Sequence, residues 1–301
     1  LLVGNEDAVE ALTIALLTDG HVLLEGVPGV AKTTIANLFA QASNLEYQRI
    51  QMTPDVLPAD ITGTHIYREN LGEFDLQRGP VFANVVLADE INRATPKTQS
   101  ALLEAMEEGQ VTVDGETRPL PDPFFVIATQ NPVEQGGTFE LPEAQKDRFI
   151  VKTSLGYPEL EGELELIDRR LARRSQQPST SPVCTRQAVE DLRAAPEDVH
   201  VEADVRRYVA LCSRATRADS RVAAGVSPRG TQRLLEVSRA MAALRGRRYV
   251  VPEDVQRAAG PVLAHRLVLT PDARVNEVEK RAVIDDIVDE LEVPTVRTAT
   301  Q

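Results

Sequence analysis

Gly26-Val27-Pro28-Gly29-Val30-Ala31-Lys32-Thr33-Thr34 is the stretch on which the fold turns. An apolar run, Val22-Leu23-Leu24, leads into it, and Ile35-Ala36-Asn37-Leu38-Phe39-Ala40 leaves it with helical spacing. Strand, glycine-bearing loop and amphipathic helix are the context that a phosphate-binding loop requires. Backbone N–H groups exposed at a helix start form an anion site, and the helix dipole favours negative charge there. In such a loop Lys32 reaches the terminal phosphates and the Thr33 hydroxyl ligates Mg²⁺. One position departs from the general pattern. Ala31 stands where a glycine usually precedes the lysine, after an added Pro28-Gly29.

Downstream, Val85-Val86-Leu87-Ala88-Asp89-Glu90 is an apolar strand ending in two carboxylates. Beside a phosphate loop, an Asp in that position holds Mg²⁺ through its water shell. The adjacent Glu can polarise the water that attacks a γ-phosphate. Glu90 points to ATP rather than GTP, and no guanine-reading Asn-Lys-x-Asp occurs in the chain. The next buried strand, Phe124 to Thr129, delivers Gln130-Asn131-Pro132 at its end. Ligands of open parallel sheets sit at the carboxyl ends of the strands, so Asn131 is placed to orient the attacking water. Leu141-Pro142-Glu143-Ala144-Gln145-Lys146-Asp147-Arg148-Phe149 sets Arg148 just before the last strand, where it suits a neighbouring subunit's site better than its own. An arginine supplied in trans is worth roughly 10³–10⁵ in rate. Arg229 follows Ser227-Pro228, an N-cap with proline at the first helical position. The helix dipole disfavours an arginine there, which points to an anionic partner from outside the helix.

The rest of the chain alternates strands and helices as far as residue 157. Glu6 to Leu17 has helical spacing, Tyr47 to Gln51 alternates as a strand, and Pro96 to Glu108 is a helix. Two hairpins are expected: Ile61 to Tyr67 with Glu73 to Gln77, and Val111 to Val113 with Thr117 to Leu120 around Asp114-Gly115. Phe149 to Thr153 completes a parallel, doubly wound sheet. Beyond Gly156-Tyr157-Pro158 the periodicity is nearly all helical. Leu160, Leu164, Ile167 and Leu171 share one face; Val205, Tyr208, Val209 and Cys212 share another; Ile284, Ile287, Val288 and Leu291 line the last. An α/β domain over residues 1–157 and a helical domain over 158–301 are expected.

The 301 residues carry a net charge of -13, which argues against general nucleic-acid binding. Hydrophobic and charged fractions of 42% and 26% are those of a soluble globular protein. No apolar run approaches the ~18 residues of a membrane span. Two cysteines, Cys184 and Cys212, form neither a metal framework nor a redox motif, so a reducing cytoplasm is the simplest compartment. The chain opens at Leu1 inside a periodic pattern, from which an upstream segment is expected.

Taken in order, Gly26 to Thr33, Leu87-Ala-Asp-Glu-Ile-Asn-Arg-Ala94, Ala128-Thr-Gln-Asn-Pro132, Leu141 to Phe149 and Val226-Ser-Pro-Arg229 resemble the MoxR family of AAA+ ATPases. Ala31 is similar to the usual form in that family. The resemblance implies an AAA+ P-loop fold, with a five-stranded parallel sheet and a C-terminal all-helical lid. It casts Lys32 and Thr33 as Walker A, Asp89 and Glu90 as Walker B, and Asn131 as sensor 1. Arg148 becomes the arginine finger and Arg229 sensor 2, which with Lys32 would touch the γ-phosphate. The hairpins look like the helix-2 insert and the hairpin before sensor 1, and the Gly4-Asn5 turn like the segment against adenine. ATP, Mg²⁺, a ring of about six copies, and chaperone-like work on client proteins, often with von Willebrand factor A-domain partners, are implied with it. A magnesium-chelatase-type subunit is the rival within the clade, though Ala31 does not match its glycine. A DNA-translocating motor is disfavoured by charge, and a nucleotide-gated module without catalysis would not need Glu90.

Overall fold

The computed structural model describes residues 4–27, 29–69, 72–131, 137–174 and 177–295. In chain order the elements are α1 (Glu6–Leu17), β1 (Val22–Gly26), α2 (Lys32–Ala42), β2 (Tyr47–Gln51), α3 (Pro58–Thr62), β3 (Gly63–Arg68), β4 (Glu73–Arg78), β5 (Val85–Asp89), α4 (Pro96–Glu108), β6 (Gln110–Val113), β7 (Glu116–Pro119), β8 (Phe125–Gln130), α5 (Glu143–Lys146) and β9 (Val151–Leu155). They continue as α6 (Leu160–Arg173), α7 (Arg186–Ala194), α8 (Ala203–Ala215), β10 (Val222–Ala224), α9 (Pro228–Leu244), α10 (Pro252–Leu263), β11 (Val268–Leu269), α11 (Pro271–Val275) and α12 (Lys280–Glu290). Packing divides the chain into two compact units, one of residues 1–141 and 153–190, the other of 142–152 and 191–301. The change to helical periodicity near residue 157 is therefore a different boundary from the division of packing, because both units are discontinuous in sequence.

The first unit is built on the five-stranded parallel sheet, in the order β2-β5-β8-β1-β9. The clearest apolar runs are two of its three inner strands: all of β5 is buried, and β8 is buried from Phe125 to Thr129. Strands covered on both faces read as continuous Val, Ile and Leu for that reason. Edge strand β2 shows alternation instead, with Ile50 buried and Arg49 and Gln51 exposed. His21, just before β1, accepts from the Val126 N–H (3.1 Å) and donates to the Met106 carbonyl (3.0 Å), tying α4 to the sheet. Local signals fix α4 itself. The Thr95 hydroxyl accepts the Thr98 N–H, Pro96 takes the first helical position, and Gly109 closes the helix at φ 61°.

The first hairpin differs from expectation at its start. Ile61 and Thr62 are the last turn of α3, whose Asp60 carboxylate accepts the Leu57 N–H at 2.8 Å, and the strand begins only at Gly63. A Cβ on Gly63 would lie 2.3 Å from the Gln77 carbonyl oxygen, and one on Gly79 would lie 2.2 Å from that of Ile61. Two facing glycines thus let the chain turn from helix into hairpin in one step. The second hairpin keeps Asp114-Gly115 as its turn, both residues at positive φ. His65 of β3 meets Asp114 across the two hairpins at 2.9 Å, and this bond holds the Asp114 carboxyl below its ordinary pKa.

On α6 the periodicity is right but the packing is not the expected one. Leu160, Leu164, Ile167 and Leu171 do share a face, yet all four are exposed and no residue of α6 is buried. The second unit packs as its spacing predicts, with one exception. Val205, Tyr208, Val209 and Cys212 of α8 are buried, as are Ile284, Ile287 and Val288 of α12, whereas Leu291 lies just past the end of α12 and is only half-buried. Burial pushes the Cys212 thiol up to about 11. The unit also holds a short antiparallel pair, β10 with β11.

Candidate functional site

Parallel pairing brings the ends of four strands into line. Glu25 pairs with Gln130, Ala88 with Ala128, and Gln51 with Asp89. The loop after β1, the acids ending β5, Asn131 after β8, and Gln51 therefore share one edge of the sheet, as ligand sites of parallel sheets require. Lys32 opens α2, is buried, and donates from Nζ to the Gly26 carbonyl at 2.6 Å. The Thr33 hydroxyl donates to Asp89 Oδ2 at 3.4 Å. Val27, Gly29, Val30 and Thr34 complete the described loop, with Val30 buried and Gly29 at φ 88°. Pro28 lies outside the described residues. Ala31 is left-handed, at φ 63° and ψ 25°, and exposed.

Both acids are engaged. Asp89 Oδ1 accepts from the Thr129 hydroxyl at 2.6 Å, and Oδ2 accepts from Arg49 through Nη2 (2.7 Å) and Nε (3.1 Å). Glu90 adopts φ 59°, and its N–H donates to the same Thr129 oxygen at 2.8 Å. Its Oε2 accepts from Arg93 and from Gln51, each at 3.0 Å. Tyr47, on the same face of β2 as Arg49 and Gln51, has its phenol pushed up to about 12, chiefly by burial. None of Arg49, Gln51, Arg93 or Thr129 is singled out by sequence reading. Alternation along β2 groups Tyr47, Arg49 and Gln51, but only the register with β5 reveals which acids they meet.

A cavity of about 480 Å³ opens beside the loop, lined by Asn5, Ala31, Thr34, Tyr157, Pro158 and Ile167 among others. A Cβ on Gly4 would lie 3.9 Å from that of Pro158, so the Gly4-Asn5 turn stands at this cavity. Tyr157, Pro158 and Ile167 are a second set that sequence reading misses, since the first two mark a change of periodicity and Ile167 belongs to an apolar helix face, which signals core rather than cavity wall. Asn131 is buried, one residue beyond β8. Arg148 and Arg229 belong to the second unit. Arg148 follows Asp147, which caps α5. Arg229 is the second residue of α9, after the Ser227 hydroxyl has accepted the Gly230 N–H at 3.2 Å. Among the described residues, no group of three or more His, Cys, Asp or Glu is placed to hold a metal.

Residues 21–151 match the ATPase family associated with various cellular activities (AAA), and residues 214–287 match the AAA lid domain. Chaperone MoxR1 of Mycobacterium tuberculosis is 44% identical over 310 residues, which cover 100% of this chain and 81% of that protein. The chain belongs to the MoxR family of AAA+ ATPases. The Bacillus subtilis protein YeaC, described as uncharacterised, is also 44% identical, over 100% of this chain and 94% of its own length. Protein MoxR of Methylorubrum extorquens is 32% identical over 95% and 89%. A crystal structure of a candidate ATPase from Cytophaga hutchinsonii superposes with a TM-score of 0.90 at 40% identity, covering 98% of this chain and 92% of that one. The AAA match in this MoxR-family chain spans the loop, Asp89, Glu90, Asn131 and Arg148; the lid match spans Arg229.

Proposed function

We propose that this chain hydrolyses ATP with Mg²⁺ as a ring of six copies, a number taken from its likeness to other AAA+ rings, and uses the cycle to remodel client proteins. The observation that carries the reading is the bond from the Thr33 hydroxyl to Asp89 at the end of β5, next to Glu90 in the chain, with Lys32 opening α2 and reaching back to the Gly26 carbonyl. A hydroxyl and a carboxylate oxygen within 3.4 Å are hard donors that fit Mg²⁺. Thr33 and Asp89 would hold that ion, which when bound offsets charge on the phosphate oxygens. Backbone N–H groups at the start of α2 and the Lys32 ammonium would bind the phosphates. Lys32 leaves the Gly26 carbonyl to do so. The cavity beside Asn5 and Tyr157 is large enough for a nucleobase and lies next to the loop. Glu90 would take the proton of the attacking water, once turned from Arg93 and Gln51, with Asn131 orienting that water.

Arg148 is assigned to the site of the next copy and Arg229 to the recognition of the γ-phosphate. The likeness to the Mycobacterium chaperone supports a chaperone-like role, and proteins with von Willebrand factor A domains are the partner class to try first. A net charge of -13 keeps nucleic acid in second place. The test is Glu90→Gln: nucleotide still binds, while turnover falls by at least about 100-fold. Unchanged turnover would leave a nucleotide-gated module instead. ATPase rate measured against protein concentration tests the ring, because a rate per chain that is independent of concentration would remove the need for Arg148 in trans.

A further inference from the structure

Arg266 is a charged side chain that the functional reading leaves without a task. It ends the short 3₁₀ turn Ala264–Arg266 after α10, and its side chain is 2% exposed. Burying a guanidinium is costly unless its donors are satisfied. Here most of them go to one short segment of chain. Nε donates to Asp147 Oδ1 at 2.6 Å, and Nη2 to the carbonyls of Asp147 (3.1 Å) and Phe149 (2.8 Å). Nη1 reaches the carbonyls of Ile150 (3.4 Å) and Val262 and meets His265 Nε2 at 2.8 Å. His265 Nε2 in turn lies 3.0 Å from the Phe149 carbonyl. Arg266 therefore holds residues 147, 149 and 150, on both sides of Arg148. The same side chain fills the space under the start of α9, where a Cβ on Gly230 would lie 3.0 Å from its Cδ, one residue after Arg229.

We infer that Arg266 is the positioning residue for Arg148: it locks the backbone around that arginine so that the guanidinium is presented at a fixed angle to a neighbouring copy. The inference rests on the proposed role of Arg148 in trans. Residues 147–150 run between α5 and β9 with no helical or sheet ladder of their own until Val151, so their carbonyls depend on outside donors. A planar fork with five N–H groups can serve several carbonyls and a carboxylate at once, which a lysine cannot. A catalytic group misplaced by about 1 Å loses on the order of 100-fold in rate.

The experiment uses the full chain and compares Arg266→Lys, Asp147→Asn, Arg148→Ala and the double variant Arg148→Ala/Arg266→Lys. Far-ultraviolet circular dichroism and gel filtration select those that fold and assemble, and binding of a fluorescent ATP analogue is measured beside kcat. Arg266→Lys is expected to lower kcat by at least about tenfold with analogue affinity within about twofold of the parent. The double variant should be no slower than Arg148→Ala alone. Mixing Arg266→Lys with Glu90→Gln chains, whose Arg148 is intact but whose own turnover is lost, should restore turnover at the Arg266→Lys sites. A purely structural lesion would not be rescued in that way. Parent-like kcat in both Arg266→Lys and Asp147→Asn, beside an inactive Arg148→Ala, would overturn the positioning role. Additive losses or a failed rescue would do the same. Full activity in Arg148→Ala would instead overturn the reading of Arg148 itself, and the positioning role with it.

Discussion

Replacing Ala31 with glycine should make the protein more stable, against the usual direction of such a change. Ala31 caps α2 at φ 63° and ψ 25°, in the left-handed region. A residue with a Cβ loses about 1–2 kcal/mol there relative to its right-handed state, because the Cβ crowds the carbonyl that follows. Glycine escapes that term but carries more freedom in the unfolded chain, a cost of about 0.4–1 kcal/mol. The Ala31 side chain is exposed, so removing its methyl forfeits little packing. The difference is a net gain of about 0.5–1 kcal/mol, worth about 1–4 °C in Tm for a unit of this size. Two compact units need not unfold together, so the assay is a denaturant titration in which Ala31→Gly and the parent are compared at matched signal. Ala31→Val supplies the opposite arm, since a β-branched residue at positive φ is strained further. A glycine variant less stable than the parent would refute the reasoning. That sign belongs to an alanine in ordinary helical geometry, and the loop would then have a different backbone.

Other outcomes follow from single side chains. Arg49 is 45% exposed and lies on the carboxylate assigned to Mg²⁺, so Arg49→Ala should cost under about 1 kcal/mol of stability. It should also lower the Mg²⁺ concentration at which a fluorescent ATP analogue binds half-maximally; an unchanged or higher midpoint would show that the two cations do not compete. His265 is held well below its ordinary pKa, by burial first and then by Arg266 and Lys152. The unfolded chain therefore takes up a proton near pH 6.5 that the folded chain refuses. Stability is full above that pH and falls below it by at most about 1.4 kcal/mol per pH unit. The denaturant midpoint of His265→Gln should depend less on pH between 7 and 5.5 than the parent's, and parallel curves would contradict the shift. With its thiol near 11, Cys212 should escape a thiol reagent at pH 8 that modifies half-buried Cys184, and both should react once the chain is unfolded.

How much of this was legible in the sequence depends on the range of the interaction that decides each feature. Tyr47 to Gln51, Pro96 to Glu108 and the Ser227 cap are set by neighbours within one turn or one strand, and their expected spans match the structure. The α3 turn at Pro58–Thr62 was hidden because its short length leaves no periodicity, and because the facing pair Gly63 and Gly79 is sixteen positions apart in sequence. The apolar face of α6 shows the reverse failure. Its period is plain in the sequence, but period reports only that a face is apolar, not that anything covers it. Arg266 and Asp147 lie 119 positions apart, and no local signal in a single sequence could have joined them.

The candidate site itself divides along the same line. Its residue types were legible because phosphate and Mg²⁺ chemistry demands them in order along the chain: loop, lysine, hydroxyl, then acids at the end of a strand. The geometry that makes them work was not, since it lies in two backbone conformations that the residue names argue against. Ala31 and Glu90 both stand at positive φ without being Gly, Asn or Asp. Such residues cost on the order of 1–3 kcal/mol each and persist only where their surroundings hold them. At Glu90 the holders are visible. The Thr129 hydroxyl accepts the Glu90 N–H while donating to Asp89, so one oxygen on β8 fixes both Asp89, the last residue of β5, and Glu90 just after it. Thr129→Val keeps the shape and removes the hydroxyl, which leaves the Glu90 N–H without that acceptor and Asp89 without its shortest donor. Its turnover should fall at least about tenfold while nucleotide affinity moves far less, the pattern of a lost transition-state contact. If turnover and affinity fell together, Thr129 would be holding the loop's ligand rather than the geometry of the acids.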